Sequence, residues 1–266
     1  MYQKSIITFI DILGFKEIVN SRSADQVDKI LNILNDFTTN EADDDDEFEP
    51  QTIIFSDSII RVRNLESEEN IAYPIGHLFH EVNSLVHAQV NLINNGVLIR
   101  GGISIGAAKV SQNRIFGPGF VAAYELESKY ANYPRVILSP ELINSVGNDV
   151  LVVNEAHSTE EERENIKTQL AQGDDGIWFV DYLRAAEPEL DSPEFYPELL
   201  AKHKSLIVSQ GEKHKSLSNV SLKYLWLANY HNKTVLLKPE RYFEAYGIER
   251  VDVLISFNEM STLTSM

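Results

Sequence analysis

"SIITFIDILGF", residues 5–15, is apolar except where Asp11 interrupts it near the end. Residues 5–11 read as a buried strand, and Gly14 marks the turn that follows. A second run repeats the anomaly. "IIFSDSIIRV", residues 53–62, carries Ser56-Asp57-Ser58 in its centre. Residues 51–63 then read as two strands meeting at Ser56-Asp57, a hairpin. A buried ionised carboxylate is costly unless it is paired or bound to a metal ion. Two of them, in two strand-like segments, point to one shared site.

Working outward, Ser23 with Gln26 has the spacing of a capping box and precedes Val27, Ile30, Leu31 and Leu34 at helical intervals. Ile75, Leu78, Phe79, Val82, Leu85, Val86 and Ile93 make a long amphipathic helix that Asn95-Gly96 would stop. "VLIRGGISIGAAKV", residues 97–110, is the next strand, and its glycines suggest close approach of another backbone or a ligand. "FVAAYELESKYA" after "FGPG" is a small-residue helix, and "RVILS" a further strand. The order β-α-β-β-α-β-α-β implies an α+β fold, an α/β sandwich with helices on one side of a mixed sheet.

Beyond residue 145 the pattern thins. Thr159 and Glu162 could cap a short polar helix, "GIWFVDYL" reads as a late strand, and Leu217, Val220, Ser221, Tyr224, Leu225 and Ala228 share a helical stripe. The expected organisation is a core over residues 1–145 and an extension over 146–266 packed on it as one compact domain.

Composition bounds the function. The chain has 266 residues, 43% of them apolar, with no cysteine and a formal charge of −17. That charge argues against nucleic acid as a general partner, because phosphate binding needs clustered Lys and Arg. No apolar run has the roughly 20 residues of a membrane span. The N-terminus lacks the features of a signal peptide, so a cytoplasmic protein is expected. The acidic runs Asp43–Asp46 with Glu47 and Glu49, and Glu160–Glu162, read as solvated segments.

Asp11 would close the first strand and Asp57 would sit at a hairpin tip. Side by side, they form an oxygen-rich site for Mg²⁺ or Mn²⁺. Two such ions about 4 Å apart can stabilise both the entering and the leaving oxygen of a phosphoryl transfer.

The motifs resemble those of class III nucleotidyl cyclases. "FIDILGF" resembles the segment that opens their catalytic domain, and "FSDSI" their hairpin with the second metal aspartate. "RGGISIG", "GPGFVAAYELES" and "YPRVILSP" resemble their following strand, helix and strand, so the resemblance spans residues 6–140. It implies a ferredoxin-like cyclase fold with a C-terminal helical extension. Asp11, the Ile12 carbonyl and Asp57 would hold two metal ions, and the substrate would be a nucleoside triphosphate. Backbone at Ile12, Leu13, Gly14 and Phe15 would cradle its phosphates.

The departures are specific. The family's two base-reading positions fall on Ile53 and near Arg114, neither suited to a purine. Its transition-state Asn and Arg fall on Val121 and Glu125, and a carboxylate cannot replace an arginine there. Arg100, Arg114, Lys129 and Arg135 are the nearby cations, with Arg100 the best candidate for catalysis because it enters a glycine-rich strand. With "KYLWLANYHN" near the C-terminus, the set resembles the pyrimidine nucleotide cyclases of bacterial antiphage (Pycsar) systems. That implies UTP or CTP as substrate, a head-to-tail homodimer with composite sites, and a downstream effector that reads the cyclic nucleotide. The alternatives are a purine cyclase with unusual base contacts, or a degenerate domain that only binds nucleotide. His77, His80 and His87 share part of one helix, where His77 and His80, three apart, are a possible metal pair without an evident third ligand, and Tyr224, Trp226 and Tyr230 read as core aromatics. "GPG" reads as a turn.

Overall fold

The computed structural model of the chain describes residues 1–36, 50–66, 76–111, 114–146, 148 and 158–264. The acidic run at 43–49, and Ile75 at the head of the long helix, lie outside these. Strand β1 (Gln3–Ile12) leads to helices α1 (Phe15–Ser21) and α2 (Ala24–Asp36). Strands β2 (Gln51–Phe55) and β3 (Ser58–Asn64) precede α3 (His77–Asn94). Then come β4 (Ile99–Ser111), β5 (Arg114–Phe116), α4 (Pro118–Glu125), a π turn over Leu126–Tyr130, β6 (Val136–Leu138) and α5 (Pro140–Ser145). The chain continues with α6 (Thr159–Gln169), β7 (Leu170–Gln172), β8 (Trp178–Val180), α7 (Tyr182–Ala186), α8 (Phe195–Lys213), α9 (Ser218–Leu236), α10 (Glu240–Glu244), α11 (Arg250–Val253) and α12 (Phe257–Thr264).

The sheet runs β2-β3-β1-β4-β6-β8-β7, with β5 paired to the far end of β4. Its first four strands are antiparallel, and β6 runs parallel to β4, so the sheet is mixed. The β2-β3-β1-β4 order is the ferredoxin-like arrangement, and the fold is α+β.

Strand β1 is apolar at both parities because both of its faces are covered. Ile7 and Phe9 join Val62, Ala108 and Ala123 of α4 in one buried cluster. Helix α4 comes this close because glycines line the contact. A Cβ on Gly102 would lie 2.3 Å from the Leu126 Cβ, and one on Gly106 would lie 2.9 Å from the Gly119 Cα. The Ser104 hydroxyl, on the same face, donates to the Gly119 carbonyl at 2.8 Å. Even-numbered residues of β1 point the other way, where the Thr8 hydroxyl donates to Glu81 of α3 at 2.7 Å. Helices therefore lie on both faces, and the one-sided arrangement expected from element order is corrected. A strand with no polar parity cannot leave one face in water.

The capping box of α2 forms as expected, with Ser23 and Gln26 exchanging hydrogen bonds. For α6 the register differs by one. Ser158 and Glu161 make the box, while Glu162 turns inward and is buried. Ser158-Thr159 followed by three glutamates satisfies the spacing twice, so sequence could not choose between them.

The contacts divide the chain into two units, Met1–Gln89 with Leu98–Tyr182 and Val90–Val97 with Leu183–Met266. The sheet runs past residue 145, because β7 and β8 complete it, and the first unit ends at Tyr182 rather than at 145. "GIWFVDYL" is strand only over Trp178–Val180, and Tyr182 already begins α7.

The second unit is helical. Gly211 of α8 lets Leu263 of α12 pack on its backbone, since a Cβ there would lie 2.2 Å from the Leu263 Cδ2. Asn232 of α9 both donates to the Ile255 carbonyl and accepts from the Ile255 amide, each at 2.8 Å. Trp226 stacks on Tyr230 at 5.4 Å and Tyr224 on His214 at 6.2 Å, so these rings are engaged within the unit. Among the described residues no helix is long and apolar enough to cross a membrane.

Candidate functional site

The hairpin closes in two residues, Phe55 facing Ser58 across it. Ser56 takes a φ of 57°, the only non-glycine residue with positive φ among those described. This left-handed step is what a two-residue hairpin turn requires. It sets Asp57 at the tip, and the Asp57 carbonyl accepts from the Ile12 amide at 3.1 Å. Asp11 sits opposite Ser58 on one side and opposite Arg100 on the other. Directly opposed residues share a face, so Asp11, Ser58 and Arg100 project together on the α4 side.

The Ser58 hydroxyl donates to Asp11 Oδ1 at 3.1 Å. Arg100 Nε lies 3.9 Å from Asp11 Oδ2, and its Nη2 contacts Glu127 Oε1 at 2.6 Å. Burial pushes the Asp11 carboxyl up to about 6, with the charges of Asp57 and Glu127 adding to the rise and Ser58 and Arg100 opposing it. Three carboxylates thus feel one another around one guanidinium. Such a site favours an added cation.

A divalent ion fits this donor set in a particular way. No group of three or more His, Cys, Asp or Glu among the described residues is arranged to hold a metal. Two aspartates and the neighbouring main-chain carbonyl instead suit Mg²⁺, which keeps one or two carboxylates and takes other oxygens from water and phosphate. Glu127 and Ser58 were not singled out from sequence. Ser58 was legible as part of "SDS", whereas Glu127 lies 116 residues from Asp11 in the chain and meets it only through the sheet.

Gly14 adopts a φ of 72° at the N-cap of α1, and a Cβ there would meet nothing within 4 Å. Its need for glycine is therefore conformational. The Ile12 and Leu13 amides donate to the Asp57 and Leu98 carbonyls. A phosphate cradle at this turn is thereby narrowed to Gly14 and Phe15.

The other expected residues are placed elsewhere. Ile53 is half-buried on β2, opposite Ile60 and on the same face as Asp11. Arg114 starts β5 opposite Ser111, eleven residues along β4 from Arg100. At about 3.3 Å per residue that separation is roughly 36 Å, so one copy of the chain does not bring Arg114 to the carboxylates. Lys129 pairs with Glu125 at 2.6 Å on the exposed side of α4 and the π turn. Arg135 is fully buried, bonded to Asp175 and 5.3–5.4 Å from the ring centres of Tyr133 and Phe179. Its guanidinium holds the β6 end together and does not reach the Asp11 cluster. Val121 is exposed on α4. Of the helix histidines, His77 is buried and His87 exposed, and burial beside Arg63 lowers the His80 ring below its usual pKa.

A cavity of about 600 Å³ lies between α4, α5 and β8 within the first unit. Ala122, Glu125, Leu126, Tyr130, Ile143 and Trp178 line it, and Asp11, Asp57 and Arg100 do not.

No protein-family profile matches the chain, and no curated protein does. Solved structures are similar at low identity. A bacterial light-regulated adenylyl cyclase is 11% identical with a TM-score of 0.40, over 70% of this chain and 94% of that one. A class III adenylyl cyclase-like ATP-binding protein from Pseudomonas aeruginosa is 14% identical with a TM-score of 0.38, over 62% of this chain and 40% of that one. The catalytic core of a rhodopsin-guanylyl cyclase with converted specificity, in complex with ATPαS, is 14% identical with a TM-score of 0.36, over 67% and 96%.

Proposed function

We propose that the chain is a metal-dependent nucleotidyl cyclase that converts UTP or CTP to the 3′,5′-cyclic monophosphate and pyrophosphate. The observation that supports it most is the meeting of Asp11 and Asp57 at one end of β1, beside the Gly14 turn. Asp11, Asp57 and the Ile12 carbonyl would hold the ions. Divalent ions bound there would favour loss of the 3′-hydroxyl proton and balance charge on the departing pyrophosphate. Arg100, on the same face, supplies positive charge toward the phosphates. Positioning and charge stabilisation would carry most of the rate.

Ile53 lies near the hairpin as an apolar contact for a base, with no purine-specific hydrogen bond to offer, which agrees with a pyrimidine. The remaining family positions, Arg114, Val121 and Glu125, are far from Asp11 or exposed, which suits a head-to-tail homodimer in which a second copy completes each site. The cyclic product would act as a second messenger in antiphage defence.

One specific observation favours a second reading. Glu125 takes the place of a transition-state arginine and is already paired with Lys129, as in a domain that binds nucleotide without turning it over. A single experiment separates the readings. The purified chain is incubated with each of the four nucleoside triphosphates and Mn²⁺, and products are identified by mass spectrometry. Cyclic UMP or CMP supports the proposal, a cyclic purine replaces the substrate class, and binding without product leaves the nucleotide-binding domain.

A further inference from the structure

We infer that Glu127 is a positioning residue that anchors Arg100 and so keeps the Asp11 carboxylate available to a divalent cation. This rests on the reading of Asp11 and Asp57 as the residues that hold the ion. Arg100 has two acidic neighbours at unequal distances, with Nη2 at 2.6 Å from Glu127 and Nε at 3.9 Å from Asp11. The near contact is a close ion pair, and the far one is at the outer limit of pairing. Glu127 therefore takes most of the guanidinium, and Asp11 is left with the Ser58 hydroxyl as its close partner.

The fold arranges this deliberately. Helix α4 changes to a π turn at Leu126, and the Ala131 amide reaches back to the Leu126 carbonyl at 2.8 Å, five residues away. Single π turns inside helices are rare and occur frequently at functional sites. Here the segment is pressed onto β4. A Cβ on Gly102 would lie 3.2 Å from the Glu127 amide as well as 2.3 Å from the Leu126 Cβ. That approach buries the Glu127 side chain to 6% exposure against Arg100.

Neutralising Glu127 removes the counter-charge but keeps the shape. The guanidinium then has Asp11 and Asp57 as its remaining anions at this site, and a short rotation closes the 3.9 Å gap. It would occupy the oxygens the ion needs. Partners one layer behind metal-binding groups typically change affinity by about 10–100-fold.

The test measures Mn²⁺ binding to the full chain without nucleotide, by titration calorimetry and by the electron paramagnetic resonance of free Mn²⁺. Wild type binds, and Asp57→Asn, as the control for the ion site, loses the binding. Glu127→Gln is expected to bind about tenfold more weakly. Arg100→Gln alone should bind at least as tightly as wild type, and adding it to Glu127→Gln should recover affinity to within about twofold of wild type. A merely structural Glu127 would give no such recovery. Wild type that binds no Mn²⁺ overturns the ion-site reading and the inference with it. Wild type that binds, with Glu127→Gln unchanged or not rescued by Arg100→Gln, overturns the inference alone. Should Glu127→Gln not fold, Arg100→Gln decides, since weaker binding in that variant contradicts competition for Asp11.

Discussion

Replacing Glu81 with glutamine should unfold the first unit far more easily than a one-atom change suggests. Glu81 lies on the face of the sheet opposite Asp11. It accepts from the Thr8 hydroxyl at 2.7 Å and pairs with Arg61 at 3.3 Å and Arg63 at 3.5 Å. The Arg61 and Glu81 side chains are 2% and 1% exposed, so no water replaces the lost charge. Burial alone would raise the Glu81 carboxyl, but Arg61, Arg63 and Thr8 together bring it below the usual value. Its stabilising effect is therefore present above about pH 4.5 and is lost as the pH falls below that. Breaking a buried pair by removing one partner costs about 3–5 kcal/mol. Glutamine still offers an oxygen to Thr8, so the lower end, about 3 kcal/mol, is expected. In a unit of this size each kcal/mol moves the melting temperature by about 2–4 °C, giving a drop of roughly 6–12 °C. The assay is urea denaturation followed by tryptophan fluorescence. The chain has two tryptophans, Trp178 in the first unit and Trp226 in the second, so a Trp226→Phe background reports the first unit alone. A loss under about 1 kcal/mol would refute the reasoning, because it would mean that the two guanidinium groups are neutralised without Glu81.

Three further outcomes are expected. Asp57→Ala should abolish cyclic nucleotide synthesis while the far-ultraviolet circular dichroism stays as in wild type, and full activity in that variant would remove Asp57 from the site. Gly102→Val should cost about 1–3 kcal/mol by overpacking and weaken Mn²⁺ binding in parallel, since its Cβ would lie 2.3 Å from the Leu126 Cβ and would push the π turn off β4. Unchanged melting and unchanged affinity would contradict the close packing. The second unit should weaken in mild acid. His203 Nδ1 meets His231 Nδ1 at 3.1 Å, and His231 Nε2 meets the Val253 carbonyl at 2.9 Å, so His231 donates from Nε2 and accepts at Nδ1. Burial lowers both rings, His231 to about 4. The unfolded chain takes up protons near pH 6.5, whereas folded His231 does so only near 4 and His203 is also held well below its usual value, so stability is complete above about 6.5 and falls as the pH drops below it. A denaturation midpoint reported by Trp226 that is indifferent to pH between 7 and 4.5 would rule this out.

Local pattern alone located the strand at residues 5–11, the hairpin at Ser56-Asp57, the α2 capping box and the stop of the long helix at Gly96, because each depends on neighbours a few residues apart. It also marked Asp11 and Asp57 as anomalies, since an acid inside an apolar run is visible without any fold. What lay beyond reach was everything set by register and by the packing of distant segments. Arg100 and Ser58 flank Asp11 because the two ladders of β1 align them, and a slip of β1 by one residue would turn Asp11 to the face opposite the other two. Arg135 reads like any surface cation until Asp175 arrives from the turn between β7 and β8. Glu127 became part of the site only when glycines in β4 let the π turn settle onto the strand. Short-range propensity determines which pieces form, whereas the charges that share a pocket are decided by how those pieces pack, and that information is spread over residues too far apart in the chain for any local pattern to hold.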